Sequence, residues 1–176
     1  GALRHTSTAY QVIDAMRYTL SNPGLGLLIL GDGPIREELR KRAKLLGIES
    51  QVVFATHVRD ATATLAAVQL LVVTDTDPDS EELVLRAAAL GVAMVMVHTE
   101  QRADIFVDEK SARIVPAGDT EALQSAITAL LNQPIERRYM GEAAREVIKE
   151  RFVEDPAQYA ASVRTSIENA FFAYGE

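Results

Sequence analysis

Cysteine and tryptophan are both absent from this chain of 176 residues. Without cysteine the chain has no disulfide framework, no thiol nucleophile and no thiolate metal ligand, a composition that fits a reducing, cytoplasmic compartment. Long apolar runs are also missing, since none approaches the roughly 18 residues that a membrane-spanning helix needs. The amino terminus lacks the charged and then apolar layout of a signal peptide. The sequence therefore predicts neither a disulfide-stabilised protein nor a transmembrane segment.

Basic residues are in the minority, with 18 Lys and Arg against 25 Asp and Glu and a formal net charge of −7. Phosphate backbones are bound by clustered Lys and Arg, so this balance argues against a nucleic-acid partner. The one basic cluster, Arg36 to Lys44, is interleaved with Glu37 and Glu38. This spacing predicts a solvated helix face with ion pairs between successive turns.

Hydrophobic residues make up 48% of the chain, and its length is sufficient for one domain with a buried core. We therefore expect a single domain over residues 1–176. The chain opens at Gly1 without a methionine. This start predicts a fragment excised from a longer protein.

Short apolar runs alternate with helical patterns along most of the chain. The predicted strands are Leu25–Leu30, Val52–Phe54, Leu70–Val73, Val92–Val97 and Ala112–Val115. The predicted helices are Tyr10–Leu20, Pro34–Gly47, Ala61–Val68, Ser80–Leu90, Glu121–Leu131, Pro134–Phe152 and Pro156–Phe171. This alternation predicts an α/β fold, a Rossmann-like doubly wound parallel sheet of five or six strands with a helical carboxyl-terminal tail. The first four strands are expected to be neighbours in it.

Several sequence motifs occur in an order that resembles one protein family. They are the turn Leu28–Pro34, the strand and loop Val52–Val58, the helix and strand Ala87–Val95, the short Ala103–Phe106 and the helix Arg138–Arg151. Together they resemble the carboxyl-terminal, nucleotide-sugar-binding domain of family 4 (group 1) glycosyltransferases of the two-domain GT-B fold. The resemblance covers nearly the whole chain and implies that a diphosphate sugar binds where strands end and the helix after Asp75–Asp79 begins.

The chain departs from that family at the donor site. The family's two glutamates, which have seven residues between them, fall at Pro78 and Arg86, and Arg86 offers only donors where a ribose acceptor is implied. The glycine-rich turn becomes Asp79–Glu82. Carboxylates there compete with an anionic ligand, since like charges about 4 Å apart repel by about 4 kcal/mol at an effective dielectric of 20. As a structural element, Ser80 or Asp79 is expected to cap the helix.

Other donor contacts of the family are also replaced. An arginine and a lysine that would hold phosphates fall at Ala2 and Thr8, with Arg4 and His5 close enough in sequence to substitute. A glycine pair becomes Glu100-Gln101. The donor-binding candidates that the resemblance implies are Arg4, His5, Thr56, His57, Val58, Asp79, Ser80, Glu81, Glu82 and Arg86. No catalytic residue is assigned.

Two further motifs have ordinary explanations. Asp75-Thr76-Asp77 matches a metal-binding D-x-D, but no histidine or further carboxylate phrase supports a hard-cation site. Gly31 and Gly33 resemble the start of a dinucleotide fingerprint, yet Arg36 stands at its third glycine, so a tight turn is favoured. We therefore expect no metal and no cofactor.

Two functions stay open at this stage. The resemblance implies a parent enzyme that transfers a sugar from a nucleotide-sugar donor, in polysaccharide or glycoconjugate synthesis, with an amino-terminal acceptor-binding domain as partner. This fragment alone would then not be catalytic. The altered donor residues instead favour a noncatalytic domain, kept for folding, docking or dimerisation after donor binding was lost.

Overall fold

The computed structural model describes residues 7–152 apart from positions 21, 23, 76 and 77. Within these residues the helices are α1 Ser7–Thr19, α2 Arg36–Leu45, α3 Ala61–Ala67, α4 Pro78–Leu90, α5 Glu100–Ile105, α6 Thr120–Asn132 and α7 Pro134–Phe152. The strands are β1 Leu27–Leu30, β2 Val52–Ala55, β3 Leu71–Val73, β4 Met94–Val97 and β5 Arg113–Val115. Strands and helices alternate, and every strand pairing is parallel. The predicted α/β class with a parallel arrangement is confirmed.

The prediction of one continuous sheet is wrong. Among the described residues β1 pairs only with β2, and β3, β4 and β5 form a second sheet with β4 in the middle. A cavity of about 460 Å³ separates β1 from β3, and side chains of α1, α3 and α6 share in its lining. Apolar runs reveal which segments are buried, but they do not reveal whether two buried strand edges meet. The sequence pattern therefore could not distinguish one sheet from two.

β4 is the central strand, and both of its faces are buried. Ala93, Val95 and Val97 lie in one apolar cluster, with α1, α2 and α6. Met94 and Met96 point to the other side, into a cluster with α3, α4 and α7. Successive side chains of a strand point to opposite faces, so the unbroken run of apolar residues reports a strand covered by helices on both sides.

α7 lies directly against the end of α4. Gly91 follows α4 with φ +74°, and a β-carbon at Gly141 of α7 would lie 2.0 Å from the Gly91 carbonyl oxygen. Arg145, one turn after Gly141, donates to the Leu90 carbonyl at 2.5 Å and so satisfies one of the carbonyls left free at the helix end. The glycine permits the backbone contact, and the arginine fixes it.

Several helix boundaries differ from the sequence prediction by one to three residues, and two differences bear on the site. α4 begins at Pro78, which suits the first helical position, so Asp79 and Ser80 lie inside the helix and neither is its cap. α5 was not predicted; Thr99 caps it by accepting a hydrogen bond from the Arg102 amide. The predicted helix over 156–171 lies outside the described residues. In the part of the chain that is described, no helix has the length and apolar character to cross a membrane.

Replacement of Gly141 by alanine is expected to lower the free energy of unfolding by about 1–3 kcal/mol, because the added methyl group overpacks a backbone contact. Urea denaturation of the purified chain measures this change. Gly47→Ala is the matched control: its β-carbon meets nothing within 4 Å, but φ is +74°, so only backbone strain of about 1–2 kcal/mol is expected. A gain in stability at Gly141, as helix propensity alone predicts, would contradict the contact.

Candidate functional site

Two parallel strands and one helix end meet at a single edge of the second sheet. β3 is followed by Thr74 and Asp75 and then by α4, and β4 is followed by His98 and Thr99 and then by α5. Because β3 and β4 are parallel neighbours, these loops lie side by side. In open parallel α/β sheets the carboxyl ends of strands are where ligands bind. This edge is therefore the candidate site.

Arg102 of α5 is the centre of the site. Its side chain is fully buried, and its Nη1 donates to the Val97 carbonyl at 3.0 Å. Its Nη2 donates to the Asp75 carbonyl and, at 2.7 Å, to Oε1 of Glu81 in the first turn of α4. One guanidinium group thus joins the ends of β3 and β4 to the start of α4.

Two buried polar atoms at this site, Nε of Arg102 and Oδ1 of Asp75, have no hydrogen-bond partner within the described part of the chain. Buried polar atoms in folded proteins are usually hydrogen-bonded, so each exception needs an explanation. Glu81 is 31% exposed and Arg102 is not exposed at all, so solvent reaches the ion pair from the glutamate side.

The other candidates of α4 have different surroundings. Ser80 is buried and, with Thr74 and Asp75, lines the polar end of the cavity between β1 and β3. Glu82 and Arg86 form an exposed ion pair at 2.5 Å across one helical turn. Arg86 therefore donates hydrogen bonds to a residue of its own helix.

Of the remaining predicted residues, those that the structure describes make no hydrogen bond to the Arg102 side chain. Thr56, His57 and Val58 follow β2, in the first sheet, and do not line the cavity; His57 is exposed. Arg4 and His5 lie outside the described residues, as does Asp77 of the D-x-D motif. Across the described residues no group of three or more acidic, histidine or cysteine side chains could hold a metal ion.

Arg102 is not among the site residues predicted from the sequence. A usable signal existed: Thr99 followed by Glu100 reads as a helix cap with an acidic first turn, which would have placed a helix over residues 100–105. It would not have shown that Arg102 points inward, because that depends on the loop after β3 lying beside it.

The pKa shifts fall elsewhere. Tyr10 donates a hydrogen bond to Glu38, which raises the pKa of the phenol. Asp14 accepts two hydrogen bonds from Arg42, which raises the pKa of that guanidinium. Both pairs join α1 to α2, so they hold helices together and do not belong to the candidate site.

Residues 1–147 match the family model of the glycosyl transferases of group 1. The lipopolysaccharide core biosynthesis glycosyltransferase LpsE of Rhizobium meliloti is 29% identical over 130 residues, 74% of this chain and 38% of that protein. The N-acetyl-alpha-D-glucosaminyl L-malate synthase of Bacillus anthracis is 28% identical over 150 residues, 85% of this chain and 39% of that protein. The chain thus spans less than half the length of these curated relatives.

Solved structures show the same fold. The carboxyl-terminal domain of a group 1 glycosyl transferase, LpcC of Francisella tularensis, has a TM-score of 0.77 at 17% identity, covering 86% of this chain and 83% of that one. HepE of Anabaena, solved with UDP and glucose, has a TM-score of 0.79 at 18% identity, covering 96% of this chain and 47% of that one. The fold is therefore that of a GT-B carboxyl-terminal domain, as the sequence predicted.

Two arginine–glutamate pairs that both involve α4 allow a matched test of burial. Arg102→Met is expected to lower the free energy of unfolding by about 2–4 kcal/mol, because two carbonyls and Glu81 lose a buried charged donor. Arg86→Met removes an exposed pair, whose partners are 52% and 63% exposed, and is expected to cost less than about 1 kcal/mol. Chemical denaturation of both variants measures the difference. Equal losses would contradict a central role for Arg102.

Proposed function

This chain belongs to the glycosyl transferases of group 1, and from that premise we propose that it is the donor-binding half of a larger sugar transferase. The observation that carries the proposal is the meeting of β3 and β4 with the amino end of α4 around Arg102. The free N–H groups and the dipole at a helix start favour an anionic group. A diphosphate linked to a sugar is an anion of this kind.

The relatives support a choice of substrates. HepE of Anabaena was solved with UDP and glucose, which supports a nucleoside diphosphate sugar as donor. LpsE of Rhizobium meliloti is named for lipopolysaccharide core biosynthesis. We take the acceptor to be a saccharide of a surface polysaccharide or glycoconjugate.

The parent protein needs a second domain under this proposal. The chain spans 38% of LpsE and 39% of the Bacillus anthracis synthase, which leaves room in proteins of that size for an amino-terminal acceptor-binding domain. Donor and acceptor would then meet between the halves, and the 176 residues alone would bind donor without transferring sugar. The lack of cysteine fits a cytoplasmic site of action.

Residue roles follow from position. Ser80 and Glu81 lie in the first turn of α4, beside the proposed place of the diphosphate. Thr56, His57 and Val58 follow the carboxyl end of β2 and remain proposed contacts for the nucleoside. Arg86 is bound to Glu82 and is not assigned to the ribose.

A noncatalytic domain is the second candidate function. The observation that favours it is that Glu81 is already bound by Arg102 and Arg86 by Glu82. Side chains that would meet a donor thus have partners within the chain. Under this alternative the pairs stabilise a docking or dimerisation domain and no donor binds.

Titration of the chain with UDP-glucose separates the two candidates. We expect saturable but weak binding, with a dissociation constant no tighter than about 1 mM or roughly −4 kcal/mol, because the donor competes with resident carboxyl groups. Backbone NMR should place the shifts at Asp75, Glu81 and Arg102. Glucose without the diphosphate is the control and should cause none.

Two results would contradict the proposal. Absence of any saturable shift at about 10 mM ligand, ten times the expected constant, would favour the noncatalytic domain. Saturable shifts confined to residues away from the ends of β3 and β4 would place donor binding elsewhere. Micromolar affinity would leave the donor role in place but refute the expected competition by Glu81.

A further inference from the structure

We propose that Arg102 is a phosphoryl-binding residue whose site is held by the Glu81 carboxyl group until a phosphate or diphosphate displaces it. The proposal rests on the proposed function only for the natural ligand, a nucleoside diphosphate sugar. The anion site itself rests on the contacts of Arg102.

The hydrogen bonds of Arg102 leave it with one acidic partner. Its bonds to the carbonyls of Val97 and Asp75 fix the plane of the guanidinium group, but a carbonyl carries no net charge. The ion pair that the described residues provide is with Glu81. Glu81 therefore takes the place at this cation that an anionic ligand would take.

Nε of Arg102 is buried and has no hydrogen-bond partner among the residues that the structure describes. A single carboxyl oxygen of Glu81 accepts from Nη2 and leaves Nε unused. Arginine recognises phosphate through two parallel N–H donors at once, which adds both energy and geometric specificity. A phosphoryl group carries enough oxygens to accept from Nε and Nη2 together, so it can satisfy a donor that the resident carboxyl group does not.

Exposure defines the route to the guanidinium group. Arg102 is fully buried and Glu81 is 31% exposed, so solvent reaches this ion pair at Glu81. Glu81 also belongs to the first turn of α4, a helix of 13 residues. A phosphoryl group that replaced its carboxyl group would lie at the amino end of that helix, where anions are favoured.

The carboxyl group of Glu81 opposes a further anion. It already pairs with Arg102, and like charges repel, so an entering phosphoryl group can bind only by displacing it. The wild-type chain should therefore bind phosphoryl groups weakly, and removal of the Glu81 charge should strengthen binding.

Calorimetry with inorganic pyrophosphate on the wild-type chain, Glu81→Gln and Glu82→Gln tests the displacement. We expect Glu81→Gln to bind at least about tenfold more tightly than wild type, equal to about 1.4 kcal/mol, and Glu82→Gln to change affinity less than about twofold. The two variants remove the same charge from adjacent positions of α4, but only Glu81 bonds Arg102. Equal gains, or no gain in either, would overturn the proposal.

A spectroscopic signature locates the bound anion. In the Glu81→Gln chain the side-chain Nε–H resonance of Arg102 should shift when pyrophosphate saturates the protein, because Nε gains an acceptor. Binding that leaves this resonance unmoved would overturn the proposal. If Glu81→Gln does not fold, Glu81→Ala provides the same charge removal and the same resonance.

UDP-glucose and uridine distinguish this proposal from the proposed function. Suppose that Glu81→Gln binds pyrophosphate more tightly than the wild-type chain does, while UDP-glucose binds no better than pyrophosphate. The phosphoryl site then stands and the nucleotide-sugar function falls. If UDP-glucose binds and the Nε–H resonance of Arg102 does not respond, the donor function stands and the phosphoryl role of Arg102 falls. Uridine lacks phosphate, so its affinity for Glu81→Gln should equal its affinity for the wild-type chain. A higher affinity of uridine for Glu81→Gln would contradict the role of Arg102.

Discussion

The buried guanidinium of Arg102 is the interaction on which the candidate site depends. It bonds carbonyl groups at the ends of β3 and β4 and a carboxyl group at the start of α4, so three chain segments share one cation. The backbone carbonyls left free at the ends of parallel strands need hydrogen-bond donors, and Arg102 supplies them without solvent. The arrangement of the site is therefore set by a residue of α5.

Buried ion pairs contribute little net stability, since desolvation offsets much of their attraction, but breaking one leaves an uncompensated charge. This asymmetry is suited to a displaceable ligand. Glu81 pairs with Arg102 while the site holds no other anion, and an entering phosphoryl group would replace one anion by another. Glu81 is an acidic residue where the family has glycine, which suggests loss of a donor site. The same residue keeps Arg102 paired.

Much of the fold could be predicted from sequence, because parallel strands covered on both faces are apolar throughout. The strand Met94–Val97 shows this, and the helix Pro134–Phe152 has the bounds that its sequence predicted. The family motif around Gly141 marks a close helix contact. The separation of β1 from β3 could not be predicted, since strand pairing is a property of tertiary packing. Arg102 was missed for a similar reason: its burial is decided by the loop after β3, some 27 residues earlier in the chain.

A double-mutant cycle between Glu81 and Arg102 tests the central claim most directly. The free energies of unfolding of the wild-type chain, Glu81→Gln, Arg102→Met and the double variant give the coupling energy of the pair. We predict a coupling of at least about 1 kcal/mol, because the two side chains share a buried charged contact. Additive effects, within about 0.5 kcal/mol, would show that Glu81 and Arg102 act independently and would contradict the account.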